Sequence, residues 1–210
     1  MNIPIDIHTH QSSEIAGKAI INCYPETFSP KESYWYSVGM HPWYLARYTN
    51  RMELFSEWVN HPQVLAIGEA GLDKLTEAAM SVQVEFFEYQ ARLAMEIDKP
   101  LIIHLVKATD EILKLKQILN PSNPWIIHGF RGKAIMVQEY LRHGFYLSFG
   151  EKYQEEALRA VPSERLFIET DESSIPIEEL YDRAAYVRGV ARDELWESVQ
   201  QNIRKVFFRQ

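Results

Sequence analysis

Five apolar segments of this chain run directly into residues that ligate metals. They read Asp6-Ile7-His8-Thr9-His10, Ala66-Ile67-Gly68-Glu69, Pro100-Leu101-Ile102-Ile103-His104, Trp125-Ile126-Ile127-His128 and Leu166-Phe167-Ile168-Glu169-Thr170-Asp171. Such runs read as buried strands, and charged or imidazole groups are rarely sunk at strand ends without a partner. Pointed at one another, His8, His10, Glu69, His104, His128 and Asp171 make a cage for divalent cations, which implies hydrolytic chemistry. His8 and His10 stand two apart, so on a strand both side chains leave one face, which Asp6 shares. Two adjacent imidazoles suit zinc or manganese. Glu69 has two oxygens and can bridge two cations, which in such centres sit roughly 3.5–4 Å apart. Each residue alone has an ordinary reading: a polar strand face, a carboxylate at a strand–helix junction, a hydrogen-bonded core histidine, a loop aspartate. The shared strand-end position is what joins them.

Other groups fall near the same places. His41, in Gly39-Met40-His41-Pro42-Trp43, ends a further apolar segment. No spacing makes it a ligand, and a substrate-facing role and a structural hydrogen bond both fit it. Lys107, Arg131 and Lys133 lie just beyond the segments ending in His104 and His128, where they could hold an anionic substrate; solvated surface is the commoner fate of such residues. His61 precedes Pro62 in a loop, and His143-Gly144 reads as a helix end. There is no Gly-rich phosphate loop, nucleophile elbow or oriented Cys–His pair.

The elements that must position these side chains alternate short apolar runs with longer amphipathic ones, the pattern of strand–helix units around a parallel sheet. Strands are expected near 3–8, 19–23, 36–40, 64–68, 100–104, 125–128, 145–149 and 165–169. Helices are expected near 51–60, 81–97, 108–119, 133–143, 151–160, 177–188 and 192–208. In the second helix Val82, Phe86, Leu93 and Ile97 recur at helical spacing and form one face. The set predicts a TIM-like (β/α)8 barrel, whose active site lies at the C-terminal ends of the strands, where the candidate ligands fall. Residues 11–18 and 25–35 are too short or too rich in Pro and Ser for outer helices, so the first two units should have shortened or missing helices.

At 210 residues the chain fits one barrel domain, residues 1–210, and its apolar content of 46% supports a sizeable core. The apolar runs are too short to span a bilayer. Residues 1–6 show no basic region followed by an apolar stretch, so no signal peptide is expected. Cys23 is the only cysteine, which excludes an internal disulfide and fits a cytoplasmic setting. The formal net charge of −7 repels nucleic acid as a whole, so phosphate contacts must be local and metal-assisted.

These motifs in this order resemble the TatD family of metal-dependent hydrolases, a branch of the amidohydrolase-like barrels. The resemblance runs through Asp6-Ile7-His8-Thr9-His10, Gly39-Met40-His41-Pro42-Trp43, Gly68-Glu69-Ala70-Gly71-Leu72-Asp73, Lys99-Pro100-Leu101-Ile102-Ile103-His104, Ile127-His128-Gly129-Phe130 and Ile168-Glu169-Thr170-Asp171. It implies a TIM-like barrel with two divalent metal ions (Zn, Mg or Mn) and, in many members, deoxyribonuclease activity. By position it implies that His8, His10 and Asp171 hold one ion and His104 and His128 the other, that Glu69 bridges, and that His41 lies near substrate. The chain departs from the pattern after Asp171, where Glu172-Ser173-Ser174-Ile175-Pro176 replaces a Pro-Tyr segment and a long basic loop. It departs again after Leu72-Asp73, where Lys74-Leu75-Thr76-Glu77 replaces aromatics and an arginine. The ligand set is intact while the substrate-holding loops are pruned.

The leading expectation is a metal-dependent phosphodiesterase or nuclease, with Asp171 and Glu69 as catalytic carboxylates. Single-stranded DNA or small phosphate esters should be better substrates than long duplex, for which no strong binding is expected. One alternative is hydrolysis of a small amide or ester on the same cage. Another is a non-catalytic binding protein on the same barrel, which loss of a ligand would favour; all six are present.

Overall fold

Eight short strands pair in chain order into a single all-parallel sheet. The computed structural model describes residues 5–12, 15–48 and 52–209. The strands are β1 (Asp6–Thr9), β2 (Ala19–Cys23), β3 (Trp35–Val38), β4 (Val64–Asp73), β5 (Leu101–Val106), β6 (Trp125–Ile127), β7 (Tyr146–Phe149) and β8 (Leu166–Ile168). The α-helices are α1 (Met52–Val59), α2 (Met80–Glu96), α3 (Thr109–Leu119), α4 (Ala134–Arg142), α5 (Glu155–Ala160), α6 (Ile177–Arg188) and α7 (Arg192–Ile203). The last expected helix is split: α7 ends at Ile203 and a π-helical turn follows over Arg204–Phe208. Expected strand residues 3–4 and helix residue 51 lie outside the described residues.

The sheet curls into a nearly closed TIM-like barrel whose seam lies between β1 and β8. A lone bridge joins Thr9 to Asp171, with His10 N donating to Asp171 O at 3.0 Å and Asp171 N to His8 O at 2.9 Å. Below it the buried carboxylate of Asp6 accepts from Thr170 N at 3.1 Å and from Thr170 Oγ1 at 2.6 Å. Burial pushes the Asp6 carboxyl up to about 7, against the pull of these hydrogen bonds. Among the described residues, no α-helix separates β1 from β2 or β2 from β3; a short 3-10 turn at Pro25–Thr27 takes the place of the second. Residues 13–14 of the first connection lie outside the described set. No helix of the described residues is long and apolar enough to cross a membrane.

Helix α2 departs from its apolar periodicity. Its buried side chains are Gln83, Phe86, Phe87, Gln90, Ala91 and Ala94, while Val82 is 39% exposed and Leu93 and Ile97 are only half-buried. Of the expected face only Phe86 is fully inward. The reason is polar. Gln90 accepts from Met40 N at 2.7 Å and donates to Met40 O at 3.1 Å, and Gln83 makes the same pair with Asp73 N at 2.7 Å and Asp73 O at 2.9 Å. Two glutamines turn inward to satisfy the backbone where β3 and β4 end, so the stretches carrying His41 and Asp73 are pinned to a helix.

Candidate metal centre

Glu69 and His104 do not terminate their strands. β4 runs on to Asp73 and β5 to Val106, so both residues lie inside strands longer than the apolar runs that precede them. Glu69 reaches the mouth through a bulge. Ile67 pairs with Leu101 and Ala70 with Ile103, which leaves Gly68 and Glu69 opposite Ile102 alone. A bulge of this kind re-aims a side chain. It needs glycine: Gly68 has φ +143°, and a Cβ there would lie 2.5 Å from Ile102 O. The Glu69 N–H, lost to the ladder, donates to Asn22 Oδ1 at 2.9 Å.

The Glu69 carboxylate is buried, and its two oxygens face two groups of imidazoles. Oε1 lies 2.8 Å from His104 Nδ1, 2.8 Å from His128 Nε2 and 3.1 Å from His41 Nε2. Oε2 lies 3.3 Å from His10 Nε2 and 3.6 Å from His8 Nε2. Asp171 Oδ1 completes the second group at 3.6 Å from His10 and 3.8 Å from His8. Asp171 takes left-handed backbone at φ +56°, and its side chain is 23% exposed. The structure therefore brings His8, His10, Glu69, His104, His128 and Asp171 together.

A second set of carboxylates holds the imidazoles from behind. Asp73 Oδ2 lies 3.2 Å from His104 Nε2, and Glu169 Oε1 lies 3.2 Å from His128 Nδ1 while accepting from Gly129 N at 2.6 Å. Such outer carboxylates fix the ring orientation of metal-ligating histidines. His41 is held differently. Trp43 N donates to its Nδ1 at 3.1 Å, so Nε2 carries the proton and donates to Glu69, which leaves no lone pair for a cation. His8 is the contrast: it is fully buried, and neither ring nitrogen has a hydrogen-bond partner.

The electrostatics are those of a cluster that lacks positive charge. Burial pushes the Glu69 carboxyl up, but the His128 charge and hydrogen bonds from His10, His104 and His128 overcome it and hold it well below the carboxylate range. Burial pushes His128 down, but Glu69 and Glu169 overcome it and raise it well above an ordinary histidine. Burial, then Glu169, pushes Asp171 up. Buried carboxylates drawing protons onto imidazoles fit a site for cations, as do the His8 nitrogens, buried without a hydrogen bond. Ligand atoms of His8, His10 and Glu69 lie within 4.8 Å of one another, as do those of His8, His128 and Asp171.

Of the cationic residues expected beside the centre, only Arg131 lines the cleft of about 210 Å³ that opens at Asp171, alongside Lys152, Glu151 and Glu172. Lys107 and Lys133 are exposed and are not part of its wall. The apolar runs gave no signal for Asp73 or Glu169 as supports. The only trace was a carboxylate within or just after an apolar strand, the same trace that marked Glu69.

The sequence over residues 25–208 matches the family model described as TatD related DNase. The chain belongs to the TatD family. The uncharacterized metal-dependent hydrolase YabD of Bacillus subtilis is 34% identical over 145 residues, covering 64% of this chain and 57% of that protein. The 3'-5' ssDNA/RNA exonuclease TatD of Enterobacter lignolyticus is 30% identical over 154 residues, covering 65% and 57%. The human 3'-5' RNA nuclease TATDN2 is 29% identical over 167 residues, covering 73% of this chain and 22% of that protein. The matches thus span little more than half the length of these bacterial relatives and less of the human one. Among solved structures, the TatD homolog YjjV of Escherichia coli superposes with a TM-score of 0.82 over 91% of this chain and 86% of its own, at 19% identity. A TatD family hydrolase from Entamoeba histolytica gives 0.74 over 85% and 76%, at 17% identity. At such identities the likeness is one of fold. The metal-dependent hydrolases among the relatives and the His/Glu/Asp cluster together suggest binding of divalent metal.

Proposed function

We propose that the chain is a divalent-metal-dependent phosphodiesterase that acts on single-stranded nucleic acid. The observation that carries the reading is the Glu69 carboxylate, with one oxygen toward His104 and His128 and the other toward His8 and His10. That split favours two cation positions: His8, His10 and Asp171 would hold one, His104 and His128 the other, and Glu69 would join both. The imidazole-rich donors favour zinc or manganese over magnesium. Bound ions would supply Lewis acidity, lowering the pKa of a water and offsetting phosphate charge. Asp171, partly exposed at the cleft, would orient that water and take its proton on a carboxylate oxygen. Asp73 and Glu169 would keep His104 and His128 in place, and His41 would hold Glu69 through Nε2. Relatives named as nucleases for single-stranded DNA and RNA support the substrate class.

A second reading is hydrolysis of a small ester. It is favoured by the small size of the cleft beside Asp171 and by its mixed lining of Arg131, Lys152, Glu151 and Glu172. Turnover by chelated protein, with Zn²⁺, Mn²⁺ or Mg²⁺ restored singly, separates the two. Metal-restored cleavage of single-stranded DNA or RNA is the expected result. Cleavage of carboxylic esters with none of phosphodiesters would overturn the first reading in favour of the second.

A further inference from the structure

Trp43 is 54% exposed beside the centre, yet it is fixed. Its Nε1 donates to Asp73 Oδ2 at 2.7 Å, and its ring sits edge-on to His41 and His104, with centroids 4.8 Å and 5.7 Å away. The same Asp73 oxygen takes His104 Nε2. One buried carboxylate therefore orients both a candidate metal ligand and a solvent-facing indole.

A large apolar ring held half in water forgoes hydrophobic stabilisation that burial would bring. The hydrogen bond to Asp73 stops it from turning away to recover that term. The neighbours extend the surface. Tyr44 lies 6.4 Å from Trp43 between centroids, and the guanidinium of Arg47 stands over the Tyr44 ring at 4.3 Å. Arg47 also reaches Glu26 at 3.5 Å, an exposed pair that a phosphate could displace at little cost. Aromatic faces interleaved with an arginine are the chemistry that takes up unpaired nucleotides, the rings stacking on bases and the cation meeting phosphate.

We propose that Trp43 stacks the nucleobase next to the scissile phosphate, and that Tyr44 and Arg47 receive the following nucleotide. The proposal rests on the phosphodiesterase reading and adds a reason for strand selectivity. A base inside a duplex has both faces covered by its neighbours, whereas an unpaired base can offer one to the indole.

The test compares wild type, Trp43→Ala and Trp43→Phe on a single-stranded oligonucleotide, on the same strand carrying abasic residues, and on bis(p-nitrophenyl) phosphate. Stacking is worth enough that Trp43→Ala should raise KM on the oligonucleotide roughly tenfold or more, with a smaller change in kcat. The loss on the small diester should be well below that on the oligonucleotide, and abasic residues should erase the difference between wild type and variant. Trp43→Phe keeps a ring but cannot bond Asp73. Recovery of most of the affinity supports stacking, whereas a Phe variant as poor as Ala assigns the residue to holding His104 and overturns the proposal. Equal losses on all three substrates overturn it too. Anisotropy of a labelled strand with chelated protein separates the two ideas. Trp43-dependent binding without turnover by the metal-restored wild type would sink the nuclease reading alone, and turnover indifferent to Trp43 would sink the stacking site alone.

Discussion

Glu169 Oε1 lies 3.2 Å from His128 Nδ1, on the side of the ring turned away from Glu69. Burial opposes charge on both, yet His128 holds the Glu169 carboxyl below its ordinary value, and Glu69, then Glu169, holds His128 well above an ordinary histidine. Outer carboxylates of this kind raise the basicity of a ligand and fix its tautomer. Replacing Glu169 with Gln should weaken metal binding roughly 10–100-fold with the fold retained. Competition against a chelator of known affinity measures it, and an unchanged affinity would show that Glu169 serves only to hold the backbone at Gly129.

Glu69→Gln should remove most metal-dependent turnover while the circular dichroism spectrum stays that of the native barrel. An amide presents one acceptor oxygen and one NH2 group, so only its oxygen can replace a carboxylate oxygen and it can serve only one of the two imidazole groups that the carboxylate now faces. The variant should bind fewer equivalents of metal than wild type by elemental analysis. Wild-type stoichiometry with wild-type turnover would reject Glu69 as the bridge.

Gly68→Ala should destabilise the protein by about 2–6 kcal/mol, the sum of backbone strain at positive φ and overpacking against Ile102. The bulge would have to flatten, and flattening turns Glu69 away from the mouth. Chemical denaturation gives the first effect and metal titration of the folded fraction the second. A variant with wild-type stability and affinity would mean that Glu69 does not depend on the bulge.

Arg131→Ala should raise KM more than it lowers kcat, because Arg131 lines the cleft at Asp171 and is not one of the candidate ligands. Lys107 and Lys133 stand outside that wall, so changing them should alter KM much less. Long duplex DNA should bind weakly, with a shallow salt dependence set by few phosphate contacts. A steep salt slope on duplex, equal to that on single strands, would contradict the picture of a local phosphate site on an acidic protein.

Much of this architecture could be read from the apolar runs, because a strand buried on both faces must be apolar and its mouth-facing end need not be. Ile102-Ile103 before His104 and Ile126-Ile127 before His128 show this directly. The readings failed where polarity entered the interior. Gln83 and Gln90 look like surface residues of an amphipathic helix, and only the backbone groups of Asp73 and Met40 explain why they turn inward. The bulge at Gly68 is illegible in the sequence because register is a property of two strands and the β4 segment alone does not carry it. Asp73 and Glu169 escaped notice because a supporting carboxylate is defined by the histidine it meets across the barrel, which neighbours in sequence do not reveal.

The seam between β1 and β8 has a topological consequence. His8 and His10 stand on one side and Asp171 on the other, and the Thr9–Asp171 contact across it links positions 162 apart. An ion shared by His10 and Asp171 would tie most of the chain into a ring. Closing so long a loop removes more freedom from the unfolded ensemble than any shorter cross-link would. The cation would then serve as a clasp, and the thermal midpoint would climb with its free concentration even in a variant that turns over nothing.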